Sequence, residues 1–267
     1  MPGRESNASN LFLGRGKLWA DVWTDQGVSS GGEMYLGVAS VWEPQAPADE
    51  TIEMRDYAVQ DAPLLDKIAI KRDMKMRAVL HEMTLENLRM ALLGNISARA
   101  QGTDAVTDED LTAKLGYYVP LEYRKVSSVV VEPEAGGTAF TEDKDYILDR
   151  TTGRIYFMTA AEGGTITDAA KLHVSYNYAA DTARTLAAGA ALKVEGSLRF
   201  VGDPKRGQRY EMEVWHFQIA PEGGIGFISD DYGNITLNFD VIGESTDHPT
   251  APYYLISEYT EYEEPTP

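Results

Sequence analysis

The stretch "KIAIKRDMKMRAVLHEMTLENLRMALLG", Lys67 to Gly94, changes its hydrophobic period with no Gly or Pro to mark the change. Up to about Leu80 apolar and charged residues alternate, as in a half-buried strand; from Thr84 the apolar residues recur at helical spacing. Ile68, Ile70, Met74, Met76, Ala78 and Leu80 fall on one strand face, and Lys67, Lys71, Asp73, Lys75, Arg77 and Val79 on the other. Arg72 interrupts the apolar face, where a bulge is expected. The run exceeds the usual strand of about 5–6 residues, so it predicts a strand crossing a large sheet. Thr84 suits an N-cap, Glu86 the positive helix end, and Gly94 the C′ position. Leu85, Leu88, Ala91 and Leu92 line one face of a helix of about ten residues, which needs packing to persist.

The rest of the chain reads as β. "LFLGRGKLWADVW" is a strand interrupted at Gly14 and Gly16, "MYLGVASVWEP" a second that ends by Pro44, and "TIEMR" a third. Residues 1–10 read as a flexible arm. Asp56–Asp66 has no clear period, yet carries Tyr57, Val59, Leu64 and Leu65, more apolar groups than a free loop would hold unless something covers it. Ser97–Gly116 reads as an acidic linker, and "DTARTLAAGA" as a second. Between them, residues 117–180 have the texture of a small β module with a hairpin turning at Thr151-Thr152-Gly153. Longer strands return in "LKVEGSLRFVG", "RYEMEVWHFQI" and "NITLNFDVIG", before the aromatic, acidic tail "PYYLISEYTEYEEPTP". Residues 1–116 and 181–267 then form one discontinuous β domain, and 117–180 an insertion. The expected class is mainly β: two packed antiparallel sheets, sandwich- or barrel-like, with one short flanking helix.

Composition limits the partners. A net charge of −18 over 267 residues repels nucleic acid and anionic membranes at long range. No cysteine is present, so disulfides and Cys-based metal sites are excluded. No apolar run approaches the ~18 residues of a membrane span, and the N-terminal stretch lacks the apolar core of a secretion signal. "GRGK" (Gly14–Lys17) lacks the Walker spacing and its following Ser/Thr, so it reads as a strand irregularity. His81, His173, His216 and His248 form no i, i+4 pair, and "EDKDY" and "SDDYGN" hold carboxylates without EF-hand spacing, as turns also do. No catalytic residue, metal or cofactor is nominated. A β-sandwich hydrolase would need two carboxylates at a cleft, and the sequence singles out no pair.

The order of segments resembles that of phage tail tube proteins, the subunits that stack in rings to form the inner tube of a long tail. The resemblance rests on the Gly-bearing "LFLGRGKLW", then "MYLGVASVW", "TIEMR", a semi-apolar loop, the long alternating strand, the "TLENLRMALLG" helix and the late "EGSLRFVGD" and "YEMEVWHFQIAPEG". It implies a structural virion protein with no enzymatic activity, forming hexameric rings whose strands join into a continuous inner barrel. Its implied partners are copies of itself, a tape measure protein, tail completion and baseplate proteins, and double-stranded DNA in transit without specific binding. It places the protein in the phage tail, made in the host cytoplasm. By the resemblance, Asp56, Tyr57, Val59, Leu64, Leu65 and Asp66 belong to a subunit-interface loop, and the long strand lines the lumen. Lys71, Asp73, Lys75 and Arg77 would face the lumen, with Glu53, Glu195, Glu211 and Glu213 on neighbouring strands neutralising the basic groups. A rival reading is a virion surface or adhesion protein. Its module or aromatic tail would bind a receptor or glycan through the tyrosines of "VSYNY" and "PYYLISEYTEY".

Overall fold

The computed structural model describes residues 11–24, 27–228 and 230–259. The contacts divide the chain into two units, Met1–Ile96 with Leu186–Pro267, and Ser97–Thr185. In chain order come β1 (Gly16–Val22), β2 (Met34–Tyr35), β3 (Ala39–Pro44), β4 (Ala48–Arg55), β5 (Leu64–Leu80) and the helix α1 (Leu85–Ala91). Next are β6 (Asn95–Gln101), β7 (Asp104–Thr112), β8 (Tyr118–Pro120), β9 (Val126–Pro133), β10 (Tyr146–Asp149), β11 (Arg154–Phe157), β12 (Lys171–Tyr178) and β13 (Asp181–Ala187). The chain ends with β14 (Glu195–Gly202), β15 (Arg209–Ala220), β16 (Ile235–Val241) and β17 (Tyr254–Tyr259). No helix among these residues is long and apolar enough to cross a membrane. The expected N-terminal arm, residues 1–10, lies outside the described residues, as does the end of the aromatic tail.

The first unit is one antiparallel sheet in the order β2-β1-β14-β15-β16-β5-β3, with β17 added to β15 and β4 to β5. It is a single hydrogen-bonded sheet rather than the two expected, and it curls. β3 stands four places from β14, roughly 19 Å along a flat sheet at about 4.8 Å per strand. Yet the Trp42 ring of β3 lies 6.4 Å from that of Phe200 on β14 and 6.1 Å from that of Phe239 on β16. Inside the curl sit Leu18, Met76, Leu80, Phe217, Leu237 and Phe239, all at most 2 % exposed. Gly16 belongs to this packing: a Cβ there would meet the Phe200 ring at 2.5 Å.

The long strand spans seventeen residues, and its face changes partway. β4 pairs Glu50 with Lys71 but Thr51 with Ala69, so Ile70 is the extra residue of a bulge. Lys71 and Ile68 therefore share a side, through Glu50 and Ile52 two apart on β4. Ile68 and Ile70 do not continue the buried row of Met74, Met76, Ala78 and Leu80; they are 58 % and 55 % exposed. The bulge lies at Ile70, not at Arg72, whose guanidinium reaches Asp49 at 2.9 Å.

Thr84 caps α1 as expected, its hydroxyl accepting from the Asn87 amide. The fully buried helix positions are Asn87 and Met90, whereas Leu85, Leu88 and Ala91 are half-buried. Asn87 Nδ2 donates to the carbonyls of Leu36 (2.9 Å) and Glu82 (2.8 Å), tying the helix to the chain ahead of β3 and just after β5. The left-handed residue after the helix is Leu93 (φ 44°), not Gly94. Gly94 is needed for space instead, since a Cβ would come within 2.5 Å of Leu186.

The second unit is a small sandwich of β10-β11-β8 and β7-β12-β9, with a separate ribbon β13-β6. Val131, Ile155, Phe157, Leu172, Val174 and Tyr176 fill its core. The two segments expected as linkers are largely strand. β7 is an edge strand in which Leu111 alone is buried, and charged edges resist pairing with other chains. β6 and β13 are held by polar pairs such as Arg99–Asp181 at 2.9 Å. The hairpin β10–β11 turns at Thr151–Gly153, where Asp149 accepts from the Thr152 hydroxyl, the Thr152 amide (3.1 Å) and Arg154 (3.0 Å).

Two outcomes follow from these local constraints. Asn87→Ala leaves two carbonyls without their donor and is expected to cost about 1–3 kcal/mol, read by chemical denaturation; a loss under about 0.5 kcal/mol would contradict the role. The hydrogen bonds from Thr152, then Arg154, lower the Asp149 carboxyl to about 2. With an unfolded value of about 3.9, the stabilisation is complete above that pH and disappears as pH falls towards 2. Asp149→Asn should therefore unfold more easily than the parent at pH 7 and match it near pH 2, while a deficit independent of pH would refute the assignment.

Candidate functional site

A largely uncovered element of the first unit is the hairpin of β4 and the N-terminal half of β5. Leu64 to Arg72, nine residues, are exposed on both strand faces, and all but Thr51 of β4 are exposed as well. Eight cross-strand pairs, Ala48↔Asp73 to Arg55↔Leu64, hold it together. Its tip is a turn closed by Asp56 N–H to the Pro63 carbonyl at 2.9 Å and by the Ala58 amide to Asp56 Oδ1 at 3.0 Å. The segment expected as one loop, Asp56–Asp66, is thus a turn followed by strand: Leu64, Leu65 and Asp66 belong to β5. Tyr57 is 78 % exposed, and Val59, Leu64 and Leu65 are about half exposed or more.

The face of the curled sheet that turns away from the core is charged. Lys71, Asp73, Lys75 and Arg77 lie on it, one side of β5. Glu195, Glu211 and Glu213 alternate with the buried positions of β14 and β15 and so lie on the same face. Glu53 does not. It sits across the hairpin, one position from Ile52, bonded to Lys67 at 3.1 Å and Arg55 at 3.1 Å. These cations, Lys67 first, hold its carboxyl below the usual range.

The neutralising partners also differ from those expected. Lys71 pairs with Asp73 (3.0 Å), Lys75 with Asp240 (3.7 Å) and Arg77 with Glu43 (3.9 Å). Glu211 and Glu213 instead share Arg199 with Glu33, at 2.6, 2.8 and 2.9 Å. Glu195 bonds Lys193 (2.7 Å) and stands 3.7 Å from His216 Nε2. Asp240 was legible as an alternating residue of "NITLNFDVIG"; what the sequence lacked was the register that sets it opposite Lys75.

Two further features matter. The curled sheet stops short of closing, leaving a cleft of about 730 Å³ whose walls include Leu18, Trp42, Phe200, Met212 and Ile256. In the second unit, Asp110, Glu134 and His173 bring their ligand atoms within 4.8 Å of one another. One nitrogen and two carboxylates suit a divalent cation, and the same placement serves the His173–Asp110 ion pair at 3.1 Å. No sequence spacing announces this trio, because strand pairing of β12 with β7 and β9 assembles it.

Other nominated groups have structural work. Asp145 of "EDKDY" is buried, which opposes its ionisation. Hydrogen bonds from the Thr141 and Thr165 amides and the Thr165 hydroxyl outweigh that burial and keep its carboxyl below the usual range. Ser229 of "SDDYGN" lies outside the described residues. Of the tyrosines in "VSYNY", Tyr176 is in the core and Tyr178 stacks on Tyr123 at 3.9 Å.

The Arg199 network gives a direct test of the charged face. Arg199→Leu leaves Glu33, Glu211 and Glu213 without their shared cation. Because the group is a third exposed, the expected loss is about 1 kcal/mol in dilute buffer. It should shrink at about 1 M salt, where screening acts over about 3 Å. A loss insensitive to salt would mean that packing, not charge, holds these strands.

No curated protein matches the chain. A family model described as "Protein of unknown function UCP028589" matches residues 11–256, and the chain belongs to that family.

Proposed function

We propose that this protein is the subunit of a phage tail tube: a structural component that forms hexameric rings, stacks them, and does no chemistry. The observation that carries the reading is the uncovered hairpin. It exposes eight large apolar residues, Ile52, Met54, Tyr57, Val59, Leu64, Leu65, Ile68 and Ile70. At on the order of 100 Å² each, they offer roughly the 800 Å² that one partner contributes to a standard interface. These residues are spread over both sides of the hairpin, and its own chain leaves both sides bare.

The charged face of the curled sheet suits a lumen. DNA carries one charge per about 1.7 Å, and free lysines or arginines would hold it in place. Here Lys71, Lys75, Arg77 and Arg199 each have a carboxylate at 3.9 Å or less. With −18 charges per subunit, a ring of copies would pass DNA and a tape measure protein without gripping either. Joining the open sheet to neighbouring copies would give its edge strands partners and close the barrel. Tail completion and baseplate proteins would then meet the ends of the stack.

A second reading is favoured by one feature of the second unit. Its β10-β11-β8 sheet presents Ile147, Tyr156 and Tyr118 side by side, with Arg154 over the Tyr118 ring at 5.2 Å and Glu162 at 3.1 Å from the Tyr156 hydroxyl. An exposed ring (Tyr118) beside a half-buried one (Tyr156), both flanked by polar groups, is the chemistry of a glycan platform on a virion surface.

Electron microscopy of the concentrated, purified chain separates the readings: rings or hollow rods are expected, and uniform monomers would overturn the tube assignment. In the same preparation, amides of Asp56–Asp66 should exchange at least about tenfold more slowly in rods than in subunits. Equal rates would remove that segment from the interface. A glycan array that retains the intact protein, and loses it on Tyr118→Ala, would favour the second reading.

A further inference from the structure

Two of the uncovered apolar surfaces of the first unit are a cleft and one side of the hairpin. One is the cleft of about 730 Å³ between the ends of the curled sheet, within the range of about 300–1,000 Å³ that holds a ligand or peptide segment. β3, which forms one wall, has no strand on its far edge among the described residues. The Trp42 indole N–H is buried there without an acceptor. The other surface is one side of the hairpin. Ile52 pairs with Ile68, Met54 with Asp66, and the bulged Ile70 follows. The four apolar residues are all more than half exposed.

Charge links the two. Arg15 lies at the cleft, and its guanidinium reaches only the neighbouring Gly14 carbonyl, at 2.9 Å. Asp66 accepts only from the Lys67 backbone amide, at 2.8 Å. Among the described residues, neither has a partner of opposite sign. A hairpin cannot serve its own cleft here. Its nine exposed β5 residues extend that strand by about 30 Å, ladder pairing with β4 holds them extended, and none of them lines the cleft.

We propose that the cleft of one copy receives the Ile52–Met54–Ile68 side of the hairpin from another copy. Asp66 then meets Arg15, and a hairpin carbonyl meets the Trp42 indole N–H. Within the tube-subunit reading the contact is head-to-tail, hairpin of one copy to cleft of the next, and repeats round a ring or along a stack. This assignment rests on the tube-subunit reading and names the receiving surface within it.

The absence of cysteine makes the test clean. Full chains carrying Ile68→Cys or Ile256→Cys, both at exposed positions, are purified apart, one with a size tag, then mixed and oxidised mildly. The mixed 68–256 dimer should exceed either symmetric dimer by at least about tenfold. A dominant 68–68 dimer would overturn the proposal by showing hairpin against hairpin. Microscopy of the same sample separates the two levels. Hollow rods without the 68–256 link overturn the cleft assignment and leave the tube reading intact; monomers without cross-links overturn both. In a second measurement, Arg15→Glu and Asp66→Arg should each raise the protein concentration needed for assembly about tenfold, and the double reversal should restore it. Failure of the double reversal to restore assembly would exclude the Arg15–Asp66 contact.

Discussion

A single extra residue, Ile70, governs how β5 meets two different surroundings. On the C-terminal side of the bulge, Met74, Met76, Ala78 and Leu80 point into the core, and Lys75 and Arg77 point out. Beyond it the sides exchange, so that Ile68 stands with the charged row instead, and the bulged Ile70 is exposed. Without the bulge Ile68 and Ile70 would continue the core-facing row of Met74, Met76, Ala78 and Leu80, interrupted only at Arg72. With it, a strand of one chain carries an apolar inside at one end and an apolar outside at the other. That arrangement is costly for a lone molecule in water, at about 25 cal/mol for each Å² of apolar surface left wet.

The curl of the sheet depends on equally local devices. Trp42 reaches Phe200 and Phe239 across the interior, Gly16 yields space to the Phe200 ring, and Asn87 fastens the helix to backbone that would otherwise lack donors. These contacts bring β3 over β14 without closing the barrel. The remaining gap is apolar and bordered by the free edge of β3, and the hairpin is a second uncovered apolar surface. Our account joins these features through identical copies rather than through a foreign ligand.

Much of this was legible in the sequence where burial imposes a period. The alternation of "RYEMEVWHFQI" and "NITLNFDVIG", the Thr84 cap and the turn at Thr151–Gly153 all follow from local chemistry that the fold retains. Other features were hidden for definable reasons. β6, β7 and β13 bury almost nothing, so they carry no apolar alternation to read. Leu192, which opens the segment "LKVEGSLRFVG", is fully exposed and lies three residues ahead of β14. The sides of Ile68 and Glu53 depend on a register shift that no spacing reveals. The pairing of Lys75 with Asp240 depends on strand order, which joins residues far apart in the chain.

The central claim is that the hairpin is finished only by another copy of the protein. Sedimentation velocity across a wide concentration range, comparing the intact chain with one in which residues 50–71 are replaced by a two-residue turn, tests it most directly. The account predicts that the intact chain shifts to large species as concentration rises, while the shortened chain stays folded by circular dichroism and sediments as a monomer throughout. Equal association of the two would contradict it.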